Sequence, residues 1–217
     1  MSRRQRRNDL RRGPFRIAVL ISGSGTGLQN LIDRIRDGRL AGVEIPVVVS
    51  SRSDVEGVAR AETADLPVDV IRVKDHPDIA TFSNHLTLTL DVYDVDLVVQ
   101  AGWLCYWMVP GRWLGKVINI HPSLLPKFGG KGFYGRAVHE AVLSAHESES
   151  GCTVHWVNNE YDAGEIIAQT RCAVSPDDTP ETLASRVCKL EHELLPRVIA
   201  DIRDGKVPRP RQRRDPT

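Results

Sequence analysis

The feature that most constrains this chain is an apolar run that stops abruptly at glycine. Phe15-Arg-Ile-Ala-Val-Leu-Ile21 has the continuous apolar character of a strand buried on both faces. Ser22-Gly-Ser-Gly-Thr-Gly27 follows directly, and Leu28, Leu31, Ile32 and Ile35 then recur at helical spacing. In a strand, glycine turn and helix of this kind, backbone N–H groups and a helix N-terminus face an anion. A turn that serves only tight strand–helix packing is the other reading. The glycines fall at 23, 25 and 27, with Leu28 where a dinucleotide fingerprint wants its third glycine. The second strand, Ile45–Ser50, ends in Ser51 and Arg52 rather than in an acidic residue for a ribose hydroxyl. Arg52 keeps an NADP reading open, but a terminal phosphate on a mononucleotide-sized ligand fits better.

The elements that follow keep the alternation. A short helix over 55–63, a strand over Val68–Val73 and a helix from Ile79 to about Val92 lead to the strand Asp96–Ala101. Gly102-Trp-Leu-Cys-Tyr-Trp-Met-Val-Pro110 comes next and is too aromatic for a plain loop. It reads either as core or as the wall of a pocket for a flat ring. The fifth strand lies in Lys116-Val-Ile-Asn-Ile-His-Pro-Ser-Leu-Leu-Pro126, and period-2 geometry puts Asn119 and His121 on one face at its end. An amide donor beside an imidazole that titrates near pH 7 suits acyl transfer, one steadying an oxyanion and the other moving a proton. The glycine-rich stretch to Gly135 reads as a mobile lid. The helix after it carries His139 and His146 as surface or packing residues. Gly151–Val157, with Thr153 and His155 on one face, and Ile166–Val174 form an antiparallel hairpin. Thr179-Pro180 starts a last helix, which Pro196 kinks or splits. The expected architecture is α/β, a doubly wound, Rossmann-like, mostly parallel sheet with an appended antiparallel C-terminal hairpin. Ligands belong beyond the C-terminal strand ends.

Composition sets outer bounds. With 217 residues, 41% hydrophobic and 26% charged, the chain suits one sizeable domain, placed at 14–205. A net charge of +1 argues against a body built to bind nucleic acid or membrane. Arginines crowd residues 1–13 and the tail 206–217, which read as disordered basic arms. The N-terminal arm lacks a secretory apolar core, no stretch is long enough to span a bilayer, and four cysteines without metal spacing fit reduced thiols. The expectation is a cytoplasmic protein, monomer or homodimer, without a metal.

Four segments resemble one family. They are Ile21-Ser-Gly-Ser-Gly-Thr-Gly-Leu-Gln29, Asn119-Ile-His-Pro-Ser-Leu-Leu-Pro126, Thr153-Val-His155 with Tyr161-Asp-Ala-Gly164, and Arg186-Val-Cys-Lys-Leu-Glu-His192. In this order they are similar to the phosphoribosylglycinamide formyltransferases of purine synthesis, over roughly residues 15–205. The resemblance implies the formyltransferase fold and transfer of a formyl group from 10-formyltetrahydrofolate to the amine of glycinamide ribonucleotide. It implies that Asn119 and protonated His121 stabilise a tetrahedral oxyanion, that His121 passes a proton to the leaving folate nitrogen, and that Asp162 favours the charged imidazole. Gly25, Thr26 and Gly27 would hold the ribonucleotide phosphate, and Glu191 would contact the same substrate. The folate would lie against Trp103, Leu104, Cys105, Tyr106 and Trp107, with Asn119, Asn158 and Glu160; Thr153 and His155 match site-lining positions.

Departures from the family pattern bear on affinity, not on the reacting groups. Gly27 stands where asparagine is common, the Gly102-Trp-Leu-Cys-Tyr segment lacks an arginine, and the helix upstream of it lacks another. The lid Gly129-Gly-Lys-Gly-Phe-Tyr-Gly135 replaces a Pro-Gly-x-His type sequence. The alternatives are formyl transfer to another amine such as an amino sugar nucleotide, hydrolysis of 10-formyltetrahydrofolate, an NADP-dependent oxidoreductase, and a non-enzymatic RNA binder that uses the arginine arms.

Overall fold

The computed structural model describes residues 13–210; the basic arm over residues 1–12 and the tail over 211–217 lie outside the described residues. Its strands are β1 (Phe15–Ile21), β2 (Val43–Ser50), β3 (Val68–Val70), β4 (Leu97–Gln100), β5 (Val117–His121), β6 (Glu149–Trp156) and β7 (Ile166–Ala173). The helices are α1 (Thr26–Arg36), α2 (Glu56–Thr63), α3 (Ile79–Val92), α4 (Arg136–Ser144) and α5 (Pro180–Arg203). The strands form one sheet in the order β3-β2-β1-β4-β5-β6-β7. Pairing is parallel from β3 to β5, and β6 and β7 each run antiparallel to the strand before them. This is the expected doubly wound sheet with an antiparallel hairpin at one edge, and the strand order reverses between β1 and β4.

Burial on both faces explains the apolar runs. Ile17, Val19 and Ile21 of β1 point into a core completed by α1 and α5, through Leu28, Leu31, Leu183, Val187 and Ile199. Ala18 and Leu20 point into the opposite core, which α3 fills with Phe82, Leu86 and Leu90 and the aromatic segment with Trp103 and Trp107, joined by Trp113 just after it. Each large side chain sealed in this way is worth about 1.5–3 kcal/mol.

Two elements differ from expectation. β3 ends at Val70, and a 3-10 turn over Val73–Asp75 takes the last residue of the predicted strand; an Arg72–Asp75 ion pair closes it. Pro196 neither splits nor ends α5, which runs unbroken to Arg203. Its ring lies among the buried residues Leu194, Leu195, Val198 and Ile199, so core packing holds the helix where a backbone hydrogen bond is lost. The start of α5 is as predicted, with Thr179 and Thr182 in a capping box ahead of the first-turn proline.

Candidate active site

The switch point between β1 and β4 opens the site. Ser22 N–H bonds the Gly102 carbonyl at 3.0 Å, and Ser22 Oγ accepts from Leu104 N–H at 2.9 Å. The turn after β1 and the turn after β4 are thus locked together. Gly25 has φ +68, and a Cβ there would lie 2.6 Å from Gly57 Cα. Only glycine permits both the left-handed backbone and that approach of α2. Gly57 N–H reaches the Gly23 carbonyl at 3.1 Å, so α2 buttresses the turn from outside.

A cavity of about 990 Å³ spreads from this turn across the ends of β4 and β5. Gly25, Thr26 and Gly27 line one end, with Cys188 and Glu191 of α5. Asn30 Nδ2 donates to the His192 carbonyl at 2.8 Å, which ties α1 to α5 beneath this wall. The other end is bounded by Trp103 to Trp107 and by Asn158 and Glu160, as expected. The aromatic segment proves to be core and wall at once. Trp103 and Trp107 are buried, while Leu104 is exposed and Cys105 and Tyr106 are half-buried at the cavity. The wall is tied to the loop after β6: Tyr106 Oη donates to the Asn159 carbonyl at 2.9 Å, and Asn159 Oδ1 accepts from Val109 N–H at 2.8 Å, while Trp103 Nε1 is buried without a partner.

Between the two ends stands a set of side chains organised by Asp162. Antiparallel register pairs Asn119 with His155 and His121 with Thr153, so all four share one sheet face. Asp162 Oδ1 accepts from Asn119 Nδ2 at 3.4 Å and lies 3.5 Å from His155 Nε2. Its Oδ2 accepts from Gly130 N–H at 2.9 Å and lies 3.5 Å from His121 Nδ1. His121 Nε2 donates to the Phe128 carbonyl at 2.8 Å, which leaves Nδ1 as the nitrogen that exchanges a proton. The Trp156 carbonyl takes the His155 Nδ1 proton at 2.9 Å, and Asn119 Nδ2 donates to His155 Nε2 at 3.2 Å. Asp162 itself has φ +52, and Gly164 follows where a Cβ would fall 1.6 Å from the Trp156 carbonyl oxygen. A left-handed backbone on a non-glycine residue is strain held by its surroundings.

The electrostatics follow from burial. His121 is 4% exposed, and desolvation lowers its pKa below the ordinary 6.5, with Asp162 and the Phe128 carbonyl offsetting only part. Burial thus works against the protonated ring that the family resemblance implies, and the Asp162 carboxylate works for it. Burial pushes Asp162 up, but contacts from His155, His121 and Gly130 outweigh it and hold the carboxyl below its ordinary range. Glu191 has no such support, and burial alone raises it to about 7.

Two of the site's residues do not sit as the sequence implied. Thr153 is fully buried and does not border the cavity. Its hydroxyl donates to the Ser123 carbonyl at 2.6 Å and accepts from Leu125 N–H at 3.1 Å, so it holds the turn after His121 from behind. His139, read as a surface or packing residue, borders the cavity. Cys188 was also passed over as a site residue, although Ala184, Cys188, Glu191 and Leu195 recur at helical spacing along the cavity side of α5. That spacing carries Cys188 into the site once Glu191 is placed there. Among the described residues no cluster of His, Cys, Asp or Glu is arranged for a metal, and no helix is long and apolar enough to cross a membrane.

Residues 15–199 match the family model described as formyl transferase. In the solved structure of phosphoribosylglycinamide formyltransferase from Coxiella burnetii, 42% of aligned residues are identical, 88% of each chain is covered and the TM-score is 0.81. The chloroplastic phosphoribosylglycinamide formyltransferase of Arabidopsis thaliana is 37% identical over 88% of this chain and 66% of its own length. The trifunctional purine biosynthetic protein adenosine-3 of Drosophila pseudoobscura pseudoobscura is 43% identical over 89% of this chain, which spans only 14% of that protein. The chain belongs to the formyl transferase family, within its phosphoribosylglycinamide formyltransferase group.

Proposed function

We propose that the chain transfers the formyl group of 10-formyltetrahydrofolate to the amine of glycinamide ribonucleotide. The observation that carries this reading is the Asp162 carboxylate, which gathers Asn119, His121 and His155 midway along a cavity with two unlike ends. A glycine turn at a helix N-terminus suits the ribonucleotide phosphate at one end. An aromatic wall with backbone polar groups suits the pterin at the other. Two substrates that meet in the middle would bring amine and formyl carbon together at Asn119 and His121.

The chemistry then runs through this chain's own groups. The amine attacks the formyl carbon, the carbonyl π electrons move to oxygen, and the nitrogen becomes positively charged. Asn119 exchanges its long 3.4 Å contact with Asp162 for the new oxyanion, a donor worth on the order of 3 kcal/mol in the transition state. His121, in its neutral form, takes the surplus amine proton at Nδ1. The imidazolium is then held by Asp162 at Nδ1 and by the Phe128 carbonyl at Nε2. Collapse of the tetrahedral species breaks the bond to the folate nitrogen, and His121 returns the proton to it. The lid root is coupled to this cycle, because Phe128 and Gly130 contact His121 and Asp162.

A steady-state assay with both substrates, following folate absorbance, tests the proposal. Turnover should require the ribonucleotide and fall about 10²–10⁴-fold in His121→Ala. Folate loss without the ribonucleotide would instead establish hydrolysis, and folate binding without turnover would shift the search to amino sugar nucleotides as acceptors.

A further inference from the structure

Besides His121 and His155 at Asp162, two further imidazoles border the cavity, those of His139 and His192. His121 and His155 are tied to carbonyls through one nitrogen each. His139, on α4 one turn past the lid, is 4% exposed, and none of the hydrogen bonds among the described residues reaches its ring. Its Nδ1 is sealed from solvent with no partner, yet the residue lines the cavity. A buried imidazole without a protein partner is uncommon, since buried polar side chains are ordinarily satisfied. What packing alone requires at this position, an apolar residue supplies at lower cost.

We propose that His139 is a substrate-binding residue whose Nε2–H donates to an oxygen on the ribosyl phosphate half of the amine substrate. The inference rests on the ribonucleotide reading above. Burial and the nearby His121 both disfavour a charged His139, so the ring carries one proton. A sealed N–H without an acceptor is the costlier arrangement, so the proton sits on Nε2 and Nδ1 keeps a lone pair. That leaves a neutral donor toward the cavity, suited to an oxygen acceptor. The half of the cavity is fixed by the neighbours: α4 packs along α5, whose Cys188 and Glu191 line the end with the glycine turn. The aromatic wall, tied to Asn159 through Tyr106 and Val109, lies toward the other end. His139 would thus supply a side-chain contact to a substrate that Gly27 cannot offer one.

The test compares wild type, His139→Leu and His139→Gln in the two-substrate assay. Leucine should raise KM for glycinamide ribonucleotide about tenfold, the loss of one buried donor. The kcat and the KM for folate should stay within about twofold, the signature of lost uniform binding. Glutamine, whose amide reaches a similar point, should recover most of the loss. Repeating the comparison with the dephosphorylated ribonucleoside separates the two acceptors. A penalty that persists assigns a sugar hydroxyl, and one that vanishes assigns the phosphate. In wild type, ribonucleotide alone should shift the ¹⁵N resonance of His139 Nε2, a readout independent of how any variant folds. An unchanged ribonucleotide KM in His139→Leu, or an unmoved resonance in a wild type that turns over normally, overturns this inference alone. A wild type that needs no ribonucleotide for turnover overturns the functional reading and this inference with it.

Discussion

The two ends of the cavity are built on opposite principles. At the aromatic end hydrogen bonds within the protein tie the wall together: Asn159 bonds both the N–H and the carbonyl of Val109, and Trp107 Nε1 donates to Thr87 Oγ1 at 3.0 Å, while Trp103 Nε1 is buried without a partner. At the glycine-turn end polar groups are left under-supplied. Glu191 is raised to about 7 by burial, and His139 has no partner for Nδ1. The first wall is held together by its own hydrogen bonds before any ligand arrives and offers shape. The second carries a desolvation cost in the free protein that a polar ligand would relieve. A flat, largely apolar ring suits the first, and a sugar phosphate suits the second.

The largest expected break falls on the residue that joins the ends. Asp162→Asn keeps the size of the side chain but removes the charge that supports His121, so kcat should fall about 10²-fold or more. The His121 pKa, already lowered by burial, should fall further, because the carboxylate is its main upward influence. Histidine NMR titration of the variant checks this, and an unmoved His121 pKa would disconnect the pair. A smaller effect belongs to the aromatic end. Asn159→Ala removes both bonds to Val109 and should raise the folate KM about tenfold, with the ribonucleotide KM unchanged. Equal changes in both constants would erase the distinction between the walls.

The smallest effect is on stability at the other end. The folded pKa of Glu191 is raised from 4.5 to about 7, so the unfolded chain gives up that proton first as pH rises. The group's contribution is full below about pH 4.5 and is lost as pH rises through about 7, up to about 3 kcal/mol. Glu191→Gln should leave Tm unchanged near pH 4.5 and raise it near pH 8, at about 2–4 °C per kcal/mol. A variant that melts with wild type at pH 8 would mean that Glu191 is not desolvated.

Much of this was legible in the sequence, because the informative signals were local. Apolar runs ending in glycine named the strands that carry the site, and the Asn119/His121 spacing placed two reacting groups on one face. Signals that depend on distant packing were read less well. Local chemistry at Pro196 allows a kink or a split, and the buried face of α5 keeps the helix from splitting. Thr153 shares a face with His155, yet the turn at Ser123–Leu125 folds over it and takes its hydroxyl. His139 carried no local mark at all. Its place follows only from the packing of α4 against α5, which no spacing within α4 reveals.

The contact between Gly25 and Gly57 fixes when disorder is lost. Backbone touches backbone there, so the glycine turn is ordered as the domain folds and costs no further entropy when a ligand docks. The lid, whose Gly130, Gly132 and Gly135 all sit at positive φ, has no such brace on its far side. The turn is thus a landing point set at folding, before any ligand arrives.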